Sequence, residues 1–184
     1  GGEKPFPFSV SVLGVNFTII IDPVHNCVVD AEIEQSGFWE KGVSQAIMKH
    51  LPQGGTFLDI GTNIGYHSLF TASYLQGTGH VHSFEPLPRL FKQFTDSVAL
   101  NGFTNIIPHN VGLAQKDGEH TIFLRDENIA GSSLFNLTDK IDNFIAAEQE
   151  VIQLKKLDTY LPELTRIDVI KIDIEGYEYE ALQG

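Results

Sequence analysis

The sequence predicts an α/β fold, a mostly parallel sheet with helices on both faces, and three stretches predict it. Phe57-Leu58-Asp59-Ile60 runs into Gly61-Thr62-Asn63-Ile64-Gly65, and an amphipathic segment from Tyr66 to Leu75 follows. That order reads as buried strand, tight turn and helix start. Val81-His82-Ser83-Phe84-Glu85-Pro86 is a second strand ending in an acid, and Asp168-Val169-Ile170-Lys171-Ile172-Asp173-Ile174-Glu175 is a later one of the same kind. Strands alternating with helical segments imply parallel pairing with crossover helices.

The elements follow in order. Val10, Val12, Phe17, Ile19 and Ile21 alternate, so Phe8 to Ile21 reads as two short strands turning at Leu13-Gly14-Val15-Asn16. Asp30 to Gln35 reads as irregular. Trp39-Glu40 opens a helix to Leu51, with Val43, Ile47 and Met48 on one face, and Pro52-Gln53-Gly54-Gly55 breaks it. After Glu85 a helix runs from Pro88 to Leu100 and stops at Asn101-Gly102. Asn105 to Val111 is the third strand of the core. Lys116-Asp117-Gly118 turns into the extended Thr121 to Leu124, and Glu127 to Asn136 is a polar loop. Gln149 to Leu157 is extended again, Leu157 to Leu164 a short helical turn, and Tyr177 to Leu182 starts the helix after the fourth core strand. Two units are expected: an extension over residues 1–51, hairpin plus helix, packed on a core over residues 52–184.

Ligands of such sheets bind outside the carboxyl ends of the strands. Asp59, Glu85, Asn110 and Asp173 all fall at strand ends, and their convergence on one crevice is the main functional expectation. Gly61 and Gly65 would let the backbone approach a ligand, and the free N–H groups of the following helix start would face it. Glu85 lies twenty residues past Gly65, about the separation at which an acid grips ribose hydroxyls. The loop is D-x-G-x-x-x-G rather than the G-x-G-x-x-G of dinucleotide sites. An acid at Asp59 would repel a pyrophosphate but suits a cationic ligand, and S-adenosylmethionine combines a ribose, an ammonium and a sulfonium without any phosphate. A second reading of Asp59 has it capping the loop by accepting backbone N–H bonds, and both roles can coexist.

Composition narrows the classes. The chain has 184 residues, 42% of them hydrophobic, enough for one real core. A net charge of −12 with twelve scattered Lys and Arg argues against duplex nucleic acid as a partner. The single cysteine, Cys27, excludes an internal disulfide and reads as a core filler. No apolar run reaches the ~20 residues of a membrane span and no signal peptide is visible, so a cytoplasmic location is expected. The first residue is Gly1 rather than Met, so the natural N-terminus is expected to lie upstream, or Gly1-Gly2 to be a cloning remnant.

Phe57 to Gly65, Ser83-Phe84-Glu85-Pro86 and Ile170-Lys171-Ile172-Asp173-Ile174-Glu175-Gly176-Tyr177-Glu178 together resemble the FkbM-type S-adenosylmethionine-dependent methyltransferases. Gly37-Phe38-Trp39-Glu40, Gly131-Ser132-Ser133-Leu134 and Leu157-Asp158-Thr159-Tyr160-Leu161 add to the likeness, which covers about Asp30 to Gly184. The resemblance implies a Rossmann-like class I methyltransferase fold and O-methyl transfer to hydroxyls of sugars or natural products. It implies a cofactor loop of Asp59, Gly61, Thr62, Asn63 and Gly65, Glu85 on the ribose, Asn110 near the adenine, and the Lys171 to Glu175 strand end facing the acceptor. That fold continues past the fourth core strand, so its last strands are expected to be missing here. A second copy or a partner segment would then complete the open sheet edge.

A hydroxyl acceptor must lose a proton, and Asp173 and Glu175 are the catalytic candidates, with Lys171 as their electrostatic partner. These three share a strand face if the extension persists. The plainer reading pairs Lys171 and Glu175 with neighbouring elements and has Asp173 cap the next helix. His67, just after the glycine loop, is a further candidate base. Asp173 with a second acid would suit Mg²⁺, but no spaced Asp-Asn pair supports it and no metal site is assigned. Two rival functions stand against methyl transfer. A nicotinamide oxidoreductase is opposed by the absent G-x-G-x-x-G, and a degenerate module that binds a nucleoside or a protein is opposed by the intact loop.

Overall fold

Leu13 and Gly14 both take left-handed backbone angles, φ 52° and 76°. A two-residue turn of that kind matches the twist of flanking strands, and it joins β1 (Phe6–Val12) to β2 (Val15–Ile21) in antiparallel register, Val12 opposite Val15 and Phe6 opposite Ile21. This computed structural model describes residues 4–25, 27–124, 148–174 and 178–184. The polar loop at 127–136, the Gly131 to Leu134 motif, Glu175 and the Gly176-Tyr177 pair lie outside the described residues.

Two helices follow the hairpin. The stretch read as irregular is instead helical, α1 (Val28–Ser36). Asp30 starts it by accepting from the Cys27 thiol at 2.9 Å and the Cys27 amide at 3.3 Å. Gly37 stops it at φ 84°. With only Val29 and Ile33 as buried apolar residues, its stripe is too thin to show as periodicity, whereas the caps at Asp30 and Gly37 are a sequence signal. Next is α2 (Lys41–His50), which buries Ile47.

The central sheet is parallel throughout. β3 (Thr56–Ile60), β4 (His80–Phe84), β5 (Ile106–His109) and β9 (Val169–Ile172) lie in the order β5-β4-β3-β9. The register sets Asp59 beside Ser83 on one side and Lys171 on the other. The crossover helices are α3 (Tyr66–Tyr74) and α4 (Pro88–Asn101), and α5 (Glu178–Gln183) follows β9. Every residue of β3 is buried, as expected for a strand covered on both faces. Phe57 packs with Leu69, Phe70, Phe94 and the hairpin residues Phe17, Ile19 and Ile21. Leu58 and Ile60 point to the opposite face, with Phe84, Leu113, Leu157 and Ala181. Fully burying side chains of this size stabilises by about 1.5–3 kcal/mol each.

A second, mixed sheet goes beyond the expected architecture. β6 (Gly112–Leu113), β7 (Gly118–Leu124) and β8 (Glu148–Lys155) form it in the order β6-β8-β7, with β7 and β8 antiparallel. Two 3₁₀ turns, Leu157–Thr159 and Leu161–Glu163, then lead to β9. Among the described residues no helix is long and apolar enough to cross a membrane.

Candidate functional site

At the carboxyl end of β3 the chain must leave the sheet without colliding with β9. Gly61 makes that turn at φ 81°, and a Cβ there would stand 2.2 Å from the Asp173 carbonyl oxygen. Gly61 and Thr62 donate their amides to the Phe84 carbonyl at 2.9 and 3.0 Å, which fastens the loop to β4. Asn63 has φ 57°. Gly65 starts α3 at φ 94°, where a Cβ would lie 2.0 Å from the Phe94 ring. Both glycines are therefore demanded by packing within the protein, independently of any ligand.

Asp59 is fully buried. Its Oδ2 accepts from the hydroxyls of Thr62 and Ser68, each at 2.7 Å, and Ser68 continues to Ser83 at 2.6 Å. The loop is thus tied by side-chain hydroxyls rather than by backbone N–H bonds to this carboxylate. Oδ1 has no hydrogen-bond partner and faces the Lys171 ammonium at 3.7 Å. The hydroxyl chain below Asp59 escaped sequence reasoning because Ser68 and Ser83 come from different elements.

Glu85, just past β4, is 5% exposed. One carboxylate oxygen accepts the Asn63 amide at 3.0 Å and the other the Leu87 amide at 2.9 Å. Burial pushes its pKa up to about 7; the negative charge of Asp59 adds to the rise, and the two amides and Lys171 oppose it. Asn110 braces the same turn, donating through Nδ2 to the carbonyls of Glu85 at 2.9 Å and Pro86 at 3.1 Å. Lys171 also approaches Asp173, at 3.9 Å, and the Asp173 side chain is half exposed. Asp59, Glu85, Asn110, Lys171 and Asp173 therefore gather at one end of the sheet.

His67 is 3% exposed and does not stand open as a free base, because its Nε2 lies 2.9 Å from Glu40 Oε2. Cys27 is buried, and its thiol, pushed up to about 12 by burial and by Asp30, stays protonated. On the opposite face of the sheet His82 and His109 stack with ring centroids 5.6 Å apart, beside Phe84 and Tyr160. Burial lowers the pKa of both histidines, His82 to about 4, and their mutual repulsion deepens the shift at His82.

A family model described as Methyltransferase FkbM domain matches residues 59–184. The chain belongs to the FkbM methyltransferase family. Methyltransferase 1 of Beauveria bassiana is 27% identical over 150 residues, which cover 72% of this chain and 59% of that protein. Hexuronic acid methyltransferase AglP of Haloferax volcanii is 27% identical over 145 residues, covering 79% of this chain and 56% of that protein. The chain thus spans somewhat over half the length of these relatives. A crystal structure of methyltransferase FkbM from Methylobacillus flagellatus is 15% identical, with a TM-score of 0.46 over 78% of this chain and 36% of that one.

Proposed function

We propose that this member of the FkbM family binds S-adenosylmethionine at the carboxyl ends of β3 and β4 and directs its methyl group to a hydroxyl, that of a sugar or related small molecule. The observation that carries the reading is Glu85, a buried acid locked against the glycine loop at the end of β4. The site fits such a cofactor. The acid at Asp59 disfavours a pyrophosphate and suits a ligand that bears positive charge and no phosphate, and Glu85 stands where an acid grips ribose hydroxyls. Glu85 and Asn63 would hold the ribose, Asn110 would lie on the adenine side, and Asp59, Gly61, Thr62 and Gly65 would shape the loop.

When bound, S-adenosylmethionine supplies a methyl group activated by its sulfonium. The protein then has to position the acceptor oxygen and take its proton. Asp173 would accept that proton, since it stands half exposed just past β9, with the Lys171 ammonium 3.9 Å away. Glu175 would share the acceptor side. The name of the AglP relative supports a sugar as the class of acceptor.

Calorimetric titration tests the cofactor assignment. S-adenosylmethionine is expected to bind with micromolar affinity, Glu85→Ala to weaken it about tenfold, roughly 1.4 kcal/mol, and NAD not to compete. Binding untouched by Glu85→Ala, or a preference for NAD, would sink the assignment.

A further inference from the structure

Asp30, on the first turn of α1, is a fully buried carboxylate that the cofactor reading leaves unused. Burying a charge is costly unless hydrogen bonds satisfy it. Four donors do so here. Oδ1 accepts the Asp22 amide, just past β2, at 3.0 Å and Gln93 Nε2 of α4 at 2.8 Å. Oδ2 accepts the Cys27 amide at 3.3 Å and the Cys27 thiol at 2.9 Å. Gln93 Nε2 also donates to the Ile20 carbonyl at 2.8 Å, so this one acid gathers the end of the hairpin, the start of α1 and the middle of α4.

One of those donors touches the glycine loop. Cys27 is 2% exposed, and its Sγ stands 3.8 Å from Asn63 Oδ1, across 36 residues of sequence. The thiol has one proton and Asp30 is the nearer acceptor, so that bond fixes the sulfur, and the sulfur bounds the Asn63 side chain. Asn63 has a left-handed backbone, φ 57°, which an asparagine sustains through a local side-chain bond, here Oδ1 accepting the Ile64 amide at 2.8 Å. In that conformation its own amide points at Glu85 Oε1, 3.0 Å away. A chain of contacts thus runs from Asp30 through Cys27 and Asn63 to the acid that carries the functional reading.

We propose that Asp30 and Cys27 are positioning residues for the ribose grip: Asp30 orients the Cys27 thiol, the thiol holds Asn63 in its turn, and Asn63 presents its amide to the carboxylate of Glu85. The inference rests on the S-adenosylmethionine reading and adds to it two residues away from the strand ends. Packing alone would leave Cys27 replaceable by any small apolar residue, whereas positioning requires a donor there and the acid beneath it. The two roles also differ in their effect on Glu85. Burial and the charge of Asp59 oppose its ionised form, while the Leu87 and Asn63 amides and the Lys171 ammonium favour it. Loss of the Asn63 bond therefore moves ionisation of Glu85, and cofactor binding with it, to higher pH.

Calorimetric titration of S-adenosylmethionine between about pH 6 and 8 separates the two roles. Cys27→Ala is expected to weaken binding about tenfold near neutral pH and to raise the pH at which affinity levels off. Cys27→Ser, which keeps a donor for Asp30, should stay within about threefold and retain the wild-type profile. Asp30→Asn, which turns an N–H donor toward the Cys27 amide and thiol, is expected to follow Cys27→Ala. In a Glu85→Gln background Cys27→Ala should cost less than about twofold, because its effect passes through the carboxylate. Cys27→Val, which refills the space without a donor, takes the place of Cys27→Ala if the cavity unfolds the chain. A loss of equal size with and without Glu85→Gln would reduce Cys27 to packing and overturn the proposal. Undiminished affinity in Cys27→Ala, or weaker binding with an unmoved pH profile, would do the same. A wild-type chain that binds no S-adenosylmethionine would instead refute the cofactor reading, and the positioning role with it.

Discussion

At Gly61 and Gly65 the same sequence pattern has a different cause from the one its spacing suggests. The D-x-G-x-x-x-G pattern predicts a ligand-binding turn with both glycines in it, and the structure has a tight turn there. What forbids a side chain, however, is the Asp173 carbonyl at one position and the Phe94 ring at the other. Gly65→Ala should therefore destabilise the free protein by about 2–5 kcal/mol, combining left-handed strain with overpacking. Shrinking the obstacle should recover part of that cost: in a Phe94→Leu background the Gly65→Ala penalty is expected to fall by more than about 1 kcal/mol. Denaturant unfolding of the four proteins decides it, and strictly additive costs would show that the ring is not the cause. The glycines were legible in the sequence; the obstacles were not, because Phe94 lies twenty-nine residues further on and reads only as one apolar position of a helix.

Among elements, the contact of α4 with β2 is made by polar groups on a helix. Gln93, Ser97 and Asn101 stand four residues apart on one face of α4. Gln93 Nε2 donates to the Ile20 carbonyl at 2.8 Å, and Ser97 Oγ accepts the Ile20 amide at 2.9 Å. Asn101 accepts the Thr18 amide at 2.8 Å and donates to the Thr18 carbonyl at 2.6 Å. The helix thereby pairs alternate residues of an edge strand as another strand would, which also closes that edge to other chains. Asn101→Ala leaves both Thr18 backbone groups without protein partners. It should cost about 1–3 kcal/mol by denaturant unfolding, water replacing part of the loss at this half-buried site. A cost under about 0.3 kcal/mol would mean that the ladder does not hold the strand. The hairpin and α4 were both legible from period and turn residues. Their mutual attachment was not, since the 3.6-residue period reports a helix's apolar stripe and gives no partner for its polar one. The helix α1 failed for the reverse reason: its stripe is nearly absent and only its caps announce it.

Across the whole molecule, the two faces of the central sheet carry titrating groups that act in opposite directions. On the face shared with α3, Glu85 has a folded pKa of about 7 against an ordinary 4.5. The folded chain therefore holds a proton that the unfolded chain gives up, and this group's contribution to stability falls as pH rises from about 4.5 to 7. On the other face His82 has a folded pKa of about 4 against 6.5, and His109 is lowered as well. There the unfolded chain binds the proton, so the contribution is complete above about 6.5 and is lost as pH falls toward 4. Each pKa unit corresponds to about 1.4 kcal/mol at full effect, so the two slopes are comparable and cancel over roughly pH 4.5–6.5. Asp22 and Glu40, both held below their ordinary values, add their loss of stability at lower pH still. The wild-type chain is thus expected to show a shallow stability profile across that window, tilted toward a rise with pH by His109. Glu85→Gln should unmask a rise in stability with pH, and His82→Phe should unmask a fall that continues to about pH 7. Denaturation midpoints at four pH values for the three proteins test this, because slopes are compared and any constant offset from the substitutions drops out. Three parallel curves would overturn the account. A cofactor bound through the ionised carboxylate of Glu85 must first take up the cost of ionising it. S-adenosylmethionine affinity should therefore rise with pH up to about 7 in the wild-type chain and lose that dependence in Glu85→Gln.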